Sequence, residues 1–277
     1  MIDLHLHTTA SDGRSTPDEL VSEVVAAGIR VMAATDHDTV AAVPAVKAAA
    51  RAAGINCIAG IEMTAVHARK DIHILGYFVD VADPELAAFL DTQRADRRRR
   101  VMEIAARLEG LGAPIDTAPL LEAGRQGGRA LGRPAVAAAL INAGHARDIS
   151  DAFDRYLSEG RPAYVVRQGA PPAEVIERIH RAGGVASLAH AGKYGLDEII
   201  PGLVDHGLRA IEVFHPDHGA ADVARYQHIA ARFSLFVTGG SDYHGPGSGR
   251  AAALGHVGVP AADYAALAEF AATRRSR

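Results

Sequence analysis

The chain has 277 residues, 48% hydrophobic and 5% aromatic with no tryptophan, one cysteine and a formal net charge of −4. That length suits one large domain, or one domain carrying an insert, and the scarcity of aromatics disfavours an aromatic-rich all-β sandwich. The mild negative charge gives no reason to expect duplex DNA as a partner, and the lone Cys57 excludes an intramolecular disulfide and fits a reducing compartment.

The first segment, "IDLHLH", reads as a strand. "STPDELVSEVVAAG" follows as a helix, with Thr16 as its cap, Pro17 in the first turn and Glu19 completing a capping box. "VMAATDHD" is a second strand, "AVKAAARAAG" a helix ended by Gly54, "NCIAGIEMTA" a third strand and "DIHILGYFV" a fourth. From about residue 84 to 165 no strand pattern stands out. "PELAAFLDTQRADRRRRVMEIAARLEGLG" is one long helix there, and "RPAVAAALINAGH" and "DISDAFDRYLSEG" are two more. Arg94 and Arg97 to Arg100 could attract nucleic acid, but they spread over a full turn of the long helix and cannot all face one partner, so a solvated face is expected of them. Alternation then resumes, with helix "PPAEVIERIHRAGG" leading to strand "VASLAHA", helix "LDEIIPGLVDHG" to "AIEVFHP", and helix "ADVARYQHIAARF" to "LFVTGGSDYHG".

Such alternation implies an α/β chain with a parallel sheet, and this many units imply a closed or nearly closed barrel. Residues 1–83 and 166–277 are expected to form its two parts, and 84–165 an all-helical insertion. No apolar run approaches the ~20 residues needed to cross a bilayer. The N-terminus has no signal-peptide pattern, so a soluble cytoplasmic protein without a membrane partner is expected.

Side chains two apart on a strand share a face, so His5 and His7 project together. Asp12 follows in "SDG". "TDHD" adds Asp36, His37 and Asp38, and "GIE" adds Glu62. "DIHILGY" offers His73, "SLAHAG" His190, and "GSDYHG" Asp242 and His244. Nearly all stand at the C-terminal end of a predicted strand, where barrel enzymes assemble their sites. His73 lies near the start of its run, so that strand is expected to be shifted or to run differently. Carboxylates gathered without compensation repel and shift their pKa values upward; divalent cations remove that problem. Imidazole and carboxylate suit manganese, iron or zinc, and the lack of thiolates disfavours a structural cysteine site. Two such ions can activate a water and neutralise charge on a phosphoryl group. No nucleophile elbow, P-loop or GxGxxG follows a suitable strand, which weakens acyl-transfer and NTPase readings.

In order, "DLHLHTTASDG", "ATDHDT", "GIEMT", "HILGYF", "LAHAG" and "GSDYHG" resemble the motifs of the PHP (polymerase and histidinol phosphatase) family. The resemblance covers both halves of the chain. It implies a distorted (β/α)7 barrel with a two- or three-metal centre that hydrolyses phosphoesters, Mn2+ being the first choice and Fe2+ or Zn2+ the alternatives. Carried over residue by residue, it implies one metal held by His5, His7, Glu62 and Asp242. A second would share Glu62 and add His73 and His190, and a third would take Asp12, His37 and His244. Asp36 and Asp38 are then expected either to orient ligand histidines or to cap turns.

Asp12 and His215 are the expected catalytic residues. Arg133, just before a helix whose N-terminus favours anions, is an expected phosphate contact, as are Lys193 and His215. His215 can alternatively protonate the leaving oxygen. Glu212 and Tyr243 lie near the same strand ends without an assigned role, and the remaining histidines lack motif context. The chain's length and helical insertion resemble small stand-alone members of the family that dephosphorylate nucleoside 3′,5′-bisphosphates, some relatives trimming the 5′ end of RNA. This implies removal of the 3′-phosphate from adenosine 3′,5′-bisphosphate by a metal-bridged hydroxide, with a nucleotide or short RNA as partner. The alternatives are a 5′-to-3′ exoribonuclease and a histidinol phosphatase, for which no carboxylate to bind the amine is identifiable. A non-catalytic metal-bound module would ordinarily lose ligands, and none is missing.

Overall fold

The computed structural model describes residues 1–125 and 131–275. Seven strands form one sheet in chain order: β1 (Ile2–Leu6), β2 (Val31–Ala34), β3 (Asn56–His67), β4 (Lys70–Tyr77), β5 (Val185–Leu188), β6 (Ala210–Phe214) and β7 (Phe236–Gly239). β1 to β3 pair in parallel, and so do β5 to β7. β4 runs antiparallel to both neighbours. The two edges meet where Leu6 bridges Tyr243 and the His7 amide donates to the Tyr243 carbonyl at 2.9 Å. Gly240 permits that approach, since a Cβ there would fall 2.4 Å from the His5 nitrogen. The result is the expected α/β architecture, a nearly closed and distorted seven-stranded barrel.

Helices α1 (Pro17–Ala26) and α2 (Val43–Ala52) cover the first strands. α1 starts as expected, with Thr16 and Glu19 in a reciprocal capping box. After β4 the chain enters α3 (Pro84–Gly110), α4 (Ala118–Arg125), α5 (Arg133–Asn142) and α6 (Ile149–Ala152), which runs on into a π-helical turn at Phe153–Leu157. These helices enclose a hydrophobic cluster of their own, including Val101, Ile104, Leu108, Val136, Leu140 and Leu157. α7 (Pro172–Arg181) returns the chain to the barrel and buries Val175, Ile176 and Ile179 along one stripe. Three further helices, α8 (Ala191–Tyr194), α9 (Ile200–Asp205) and α10 (Ala220–Phe233), precede α11 (Ala261–Arg275), which packs on β7. Fully burying such aliphatic side chains contributes about 1.5–3 kcal/mol each.

One expectation fails in α3. Its buried positions include Leu90, Gln93, Arg97, Arg100, Ile104 and Leu108, so two arginines of the "RADRRRR" run lie on the apolar stripe rather than on a solvated face. Spacings of three and four keep Arg97 and Arg100 on the side facing the barrel, where acidic and carbonyl partners compensate them.

Candidate metal centre

The strand ends of one barrel mouth supply the site. His5 and His7 leave the end of β1, His37 follows β2, His190 follows β5, and Asp242 and His244 follow β7. β4 enters at the mouth because it runs antiparallel, and its register sets His73 opposite Thr64. This explains how a histidine near the beginning of its strand reaches a site built from strand ends. Asp38, His190 and Asp242 adopt φ of 50°, 30° and 52°. Such left-handed conformations are tolerated by Asp and His and cluster where surrounding structure enforces them.

Glu62, 1% exposed, is the hub. Its Oε2 lies 3.3 Å from His5 Nε2, 3.3 Å from His7 Nε2 and 3.1 Å from His37 Nδ1. Its Oε1 lies 2.8 Å from His73 Nδ1 and 3.1 Å from His190 Nε2. Asp242 Oδ1 faces the same two imidazoles, at 3.4 Å from His5 Nε2 and 3.3 Å from His7 Nε2. Asp12 Oδ1 lies 3.2 Å from His244 Nε2, and its Oδ2 lies 3.7 Å from His37 Nε2. The structure thus brings all nine expected ligands together. His37 stands between two groups, with one ring nitrogen toward Glu62 and the other toward Asp12.

Apart from the hydrogen bond between His190 Nε2 and Glu62 Oε1, these contacts are poor hydrogen bonds and good ligand spacings. Among the described residues, His5 Nε2, His7 Nε2, Asp12 Oδ1, His37 Nδ1, Glu62 Oε2 and His73 Nδ1 are buried without a hydrogen bond. Buried polar atoms in native proteins are nearly always satisfied. Two donors each about 2.1 Å from one cation, at 90–110°, lie about 3.0–3.4 Å apart, which is the separation seen around Glu62 and Asp242 except at His73, 2.8 Å away. The residues present therefore fit divalent cations.

The supporting contacts leave the right nitrogens available. Glu212 Oε1 accepts from His5 Nδ1 at 2.9 Å, and Glu212 Oε2 accepts the His190 amide at 2.8 Å. The Asp242 carbonyl accepts from His244 Nδ1 at 2.7 Å. Ser11 Oγ, 3.5 Å from His7 Nδ1, donates to Asp36 Oδ1 at 2.6 Å. The contacts to His5, His7 and His244 fix the proton on Nδ1 and turn Nε2 toward the cluster, whereas His37 and His73 present Nδ1 to Glu62. Asp36 thus orients His7 through Ser11. Among the described residues Asp38 hydrogen-bonds to no imidazole and binds arginines instead. Glu212 is fully buried beneath His5, and the Tyr243 side chain packs in the core, so neither faces the mouth.

The electrostatics tell the same story. Burial is the largest influence on Glu62 and Asp242 and works to raise their pKa values. The surrounding imidazoles outweigh it and hold both carboxyls well below the usual range. Burial likewise works to lower His7, but Asp242 and Glu62 raise it to about 10. Burial prevails at His37 and His190, lowering them to about 3 and about 4. Protons here supply the positive charge that cations would replace.

Beside His37, His73 and Asp12 opens a cavity of about 250 Å³ between barrel and helices. Arg133 and Lys193 line it, with Arg97, Arg100 and Arg167 deeper in the wall. The Arg133 guanidinium lies 5.7 Å from the Phe153 ring and 5.6 Å from the Tyr164 ring, and 3.7 Å from the Asp71 carboxylate. His215 sits on another flank, its Nε2 3.4 Å from Asp242 Oδ2. Arg250 stands on that flank too, paired with Asp217 and with its Nε 3.4 Å from Asp242 Oδ2. Sequence reasoning missed Arg250, because it follows a Gly/Pro-rich stretch whose path no periodicity defines.

A family model described as "PHP domain" matches residues 3–161. The chain belongs to the PHP family. A relative from Salmonella typhimurium, 5′-3′ exoribonuclease Rnm, is 36% identical over 88% of this chain and 85% of its own. The 3′,5′-nucleoside bisphosphate phosphatase of Chromobacterium violaceum is 33% identical over 90% of this chain and 88% of its own. A crystal structure from Bifidobacterium adolescentis, described provisionally as a metal-dependent phosphoesterase, superposes with a TM-score of 0.87. It is 33% identical and covers 96% of this chain and 94% of that one. The chain is accordingly a PHP phosphoesterase of a metal-dependent family, similar to proteins named for nucleotide and RNA hydrolysis. Among the described residues no helix is long and apolar enough to cross a membrane.

Proposed function

We propose that the protein removes the 3′-phosphate from nucleoside 3′,5′-bisphosphates, such as adenosine 3′,5′-bisphosphate. The carrying observation is the cavity beside the ligand cluster. Its insertion wall combines the cationic Arg97, Arg100 and Arg133 with the apolar Val101, Ile104, Leu131 and Phe153, and Lys193 adds a charge from the barrel side. At about 250 Å³ it lies just below the range of about 300–1,000 Å³ typical of ligand pockets, a scale suited to one nucleotide. A base against the apolar wall and a distal phosphate near Arg133 would leave the second phosphate at the cluster. Similarity to the C. violaceum phosphatase supports this reading.

His5, His7, Glu62 and Asp242 would hold one cation, Glu62, His73 and His190 a second, and Asp12, His37 and His244 a third. Bound there, divalent ions, manganese in our reading, would supply Lewis acidity to the phosphoryl oxygens and to an attacking water. Arg133 would bind phosphate through its fork of N–H groups, and Lys193 as a point charge. His215 Nδ1 accepts the Asp217 amide at 3.1 Å, which leaves the proton of the neutral ring on Nε2. That suits a hydrogen bond to a phosphate oxygen better than proton delivery to the leaving group, which would need Nδ1 protonated as well. Asp12 would act through its cation.

Trimming of RNA from its 5′ end is the second reading, favoured by similarity to the Salmonella exoribonuclease. Inorganic phosphate and nucleotide release decides between them. Manganese-loaded protein should release phosphate faster from adenosine 3′,5′-bisphosphate than from AMP or histidinol phosphate, and faster than it shortens a 5′-phosphorylated oligoribonucleotide at equal concentration. A preference for the oligonucleotide or for histidinol phosphate would overturn the proposal.

A further inference from the structure

Asp38 follows His37 directly and is fully buried. Its Oδ2 accepts Arg97 Nε at 2.6 Å and Arg167 Nη2 at 2.8 Å, while Oδ1 accepts the Thr64 amide at 2.8 Å. Its own amide donates to the Glu62 carbonyl at 2.9 Å, and its carbonyl accepts Arg94 Nη1 at 3.1 Å. Arg94 and Arg97 belong to α3, where the chain leaves the barrel, and Arg167 to the segment by which it returns. One carboxylate therefore ties both crossings to the loop carrying His37 and the strand carrying Glu62.

Both guanidiniums bound by Asp38 Oδ2 line the cavity, and Arg97 has each of its nitrogens engaged by the protein. Arg97 spends its other nitrogens on the Leu131 carbonyl at 3.0 Å and on Thr64 Oγ1 at 2.9 Å. Gln93 adds a bond from the same helix to the Thr64 carbonyl at 2.7 Å. A surface strap would not need a buried, multiply bonded charge, since breaking one partner of such a cluster strands the other without solvent. The positive φ of Asp38, 50°, is a conformation that the surrounding bonds hold in place.

We propose that Asp38, with Arg97 and Arg167, is a positioning device that docks the helical insertion so as to hold His37 and Glu62 at cation-binding spacing. The insertion then helps set metal affinity besides walling the cavity. This rests on the ligand assignment above and is independent of which phosphate ester is hydrolysed.

Manganese titrated into stripped protein by calorimetry tests it. Asp38→Asn, folded by circular dichroism, should bind at least one ion about 10–100-fold more weakly than wild type, the range for loss of outer-shell support. Arg97→Gln and Arg167→Gln, which each remove one of the two charged partners of Asp38, should show the same direction and serve if Asp38→Asn does not fold. Asp151→Asn breaks a cluster with Arg147 and Arg155 within the insertion and should lower thermal stability without changing manganese affinity. Wild-type affinity in Asp38→Asn, or in both arginine variants if it is unfolded, would reduce the clamp to a stabilising contact and overturn the inference. Absence of manganese binding by the wild type would remove the ligand assignment, and this inference with it.

Discussion

Glu212 shows how much of the site is carried by residues that touch neither solvent nor an expected ligand atom's open side. Its two oxygens fix the His5 ring and the His190 backbone from below. Glu212→Gln keeps the shape and removes the charge that favours the Nδ1 proton on His5. Phosphate-release activity or metal affinity should fall about 10–100-fold with the circular dichroism spectrum unchanged; an unaffected enzyme would show that His5 needs no such support. Glu212 was visible in the sequence only as a carboxylate near a strand end. That it lies under His5 depends on strand register across the barrel, which pairs β6 with β7 and lets β7 run into the seam with β1.

The strands and their end-placed ligands were legible because alternation and HxH spacing are local patterns. The reversal of β4 was legible only as an anomaly at His73, since strand direction is set by pairing and not by composition. Arg97 and Arg100 were misread because charge patterning reports on solvent by default. It cannot see the buried Asp38 and the half-buried Asp71 that meet those arginines from other segments. The cavity was illegible, as it lies between the barrel and helices whose docking is a tertiary matter. At this scale the seam offers a direct check. Gly240→Ala would press a methyl group against the His5 backbone; overpacking of this kind costs about 1–3 kcal/mol or more. Chemical denaturation should show that loss, whereas Gly54→Ala, with nothing within 4 Å of the added carbon, should lose only the left-handed preference of its φ of 71°, about 1–2 kcal/mol.

Across the whole molecule, the cluster joins segments from residue 5 to residue 244, so cations bound there would cross-link most of the barrel. Ligand that binds only the folded chain stabilises it by about 2.7 kcal/mol per site at 100 times its dissociation constant. For a protein of this size that corresponds to several degrees of melting temperature. Chelator-stripped protein should melt lower than metal-loaded protein, and manganese should restore the difference in a concentration-dependent way. An identical melting curve in chelator would argue that the imidazoles and carboxylates are satisfied by protons alone.

The most direct test is elemental analysis of purified protein reconstituted with manganese, beside Asp242→Asn and His7→Ala prepared in the same way. Two or three ions per wild-type chain, with fewer ions and less phosphate release in both variants, is the predicted result. A wild type that holds no ions, or variants that keep both full occupancy and full activity, would contradict it.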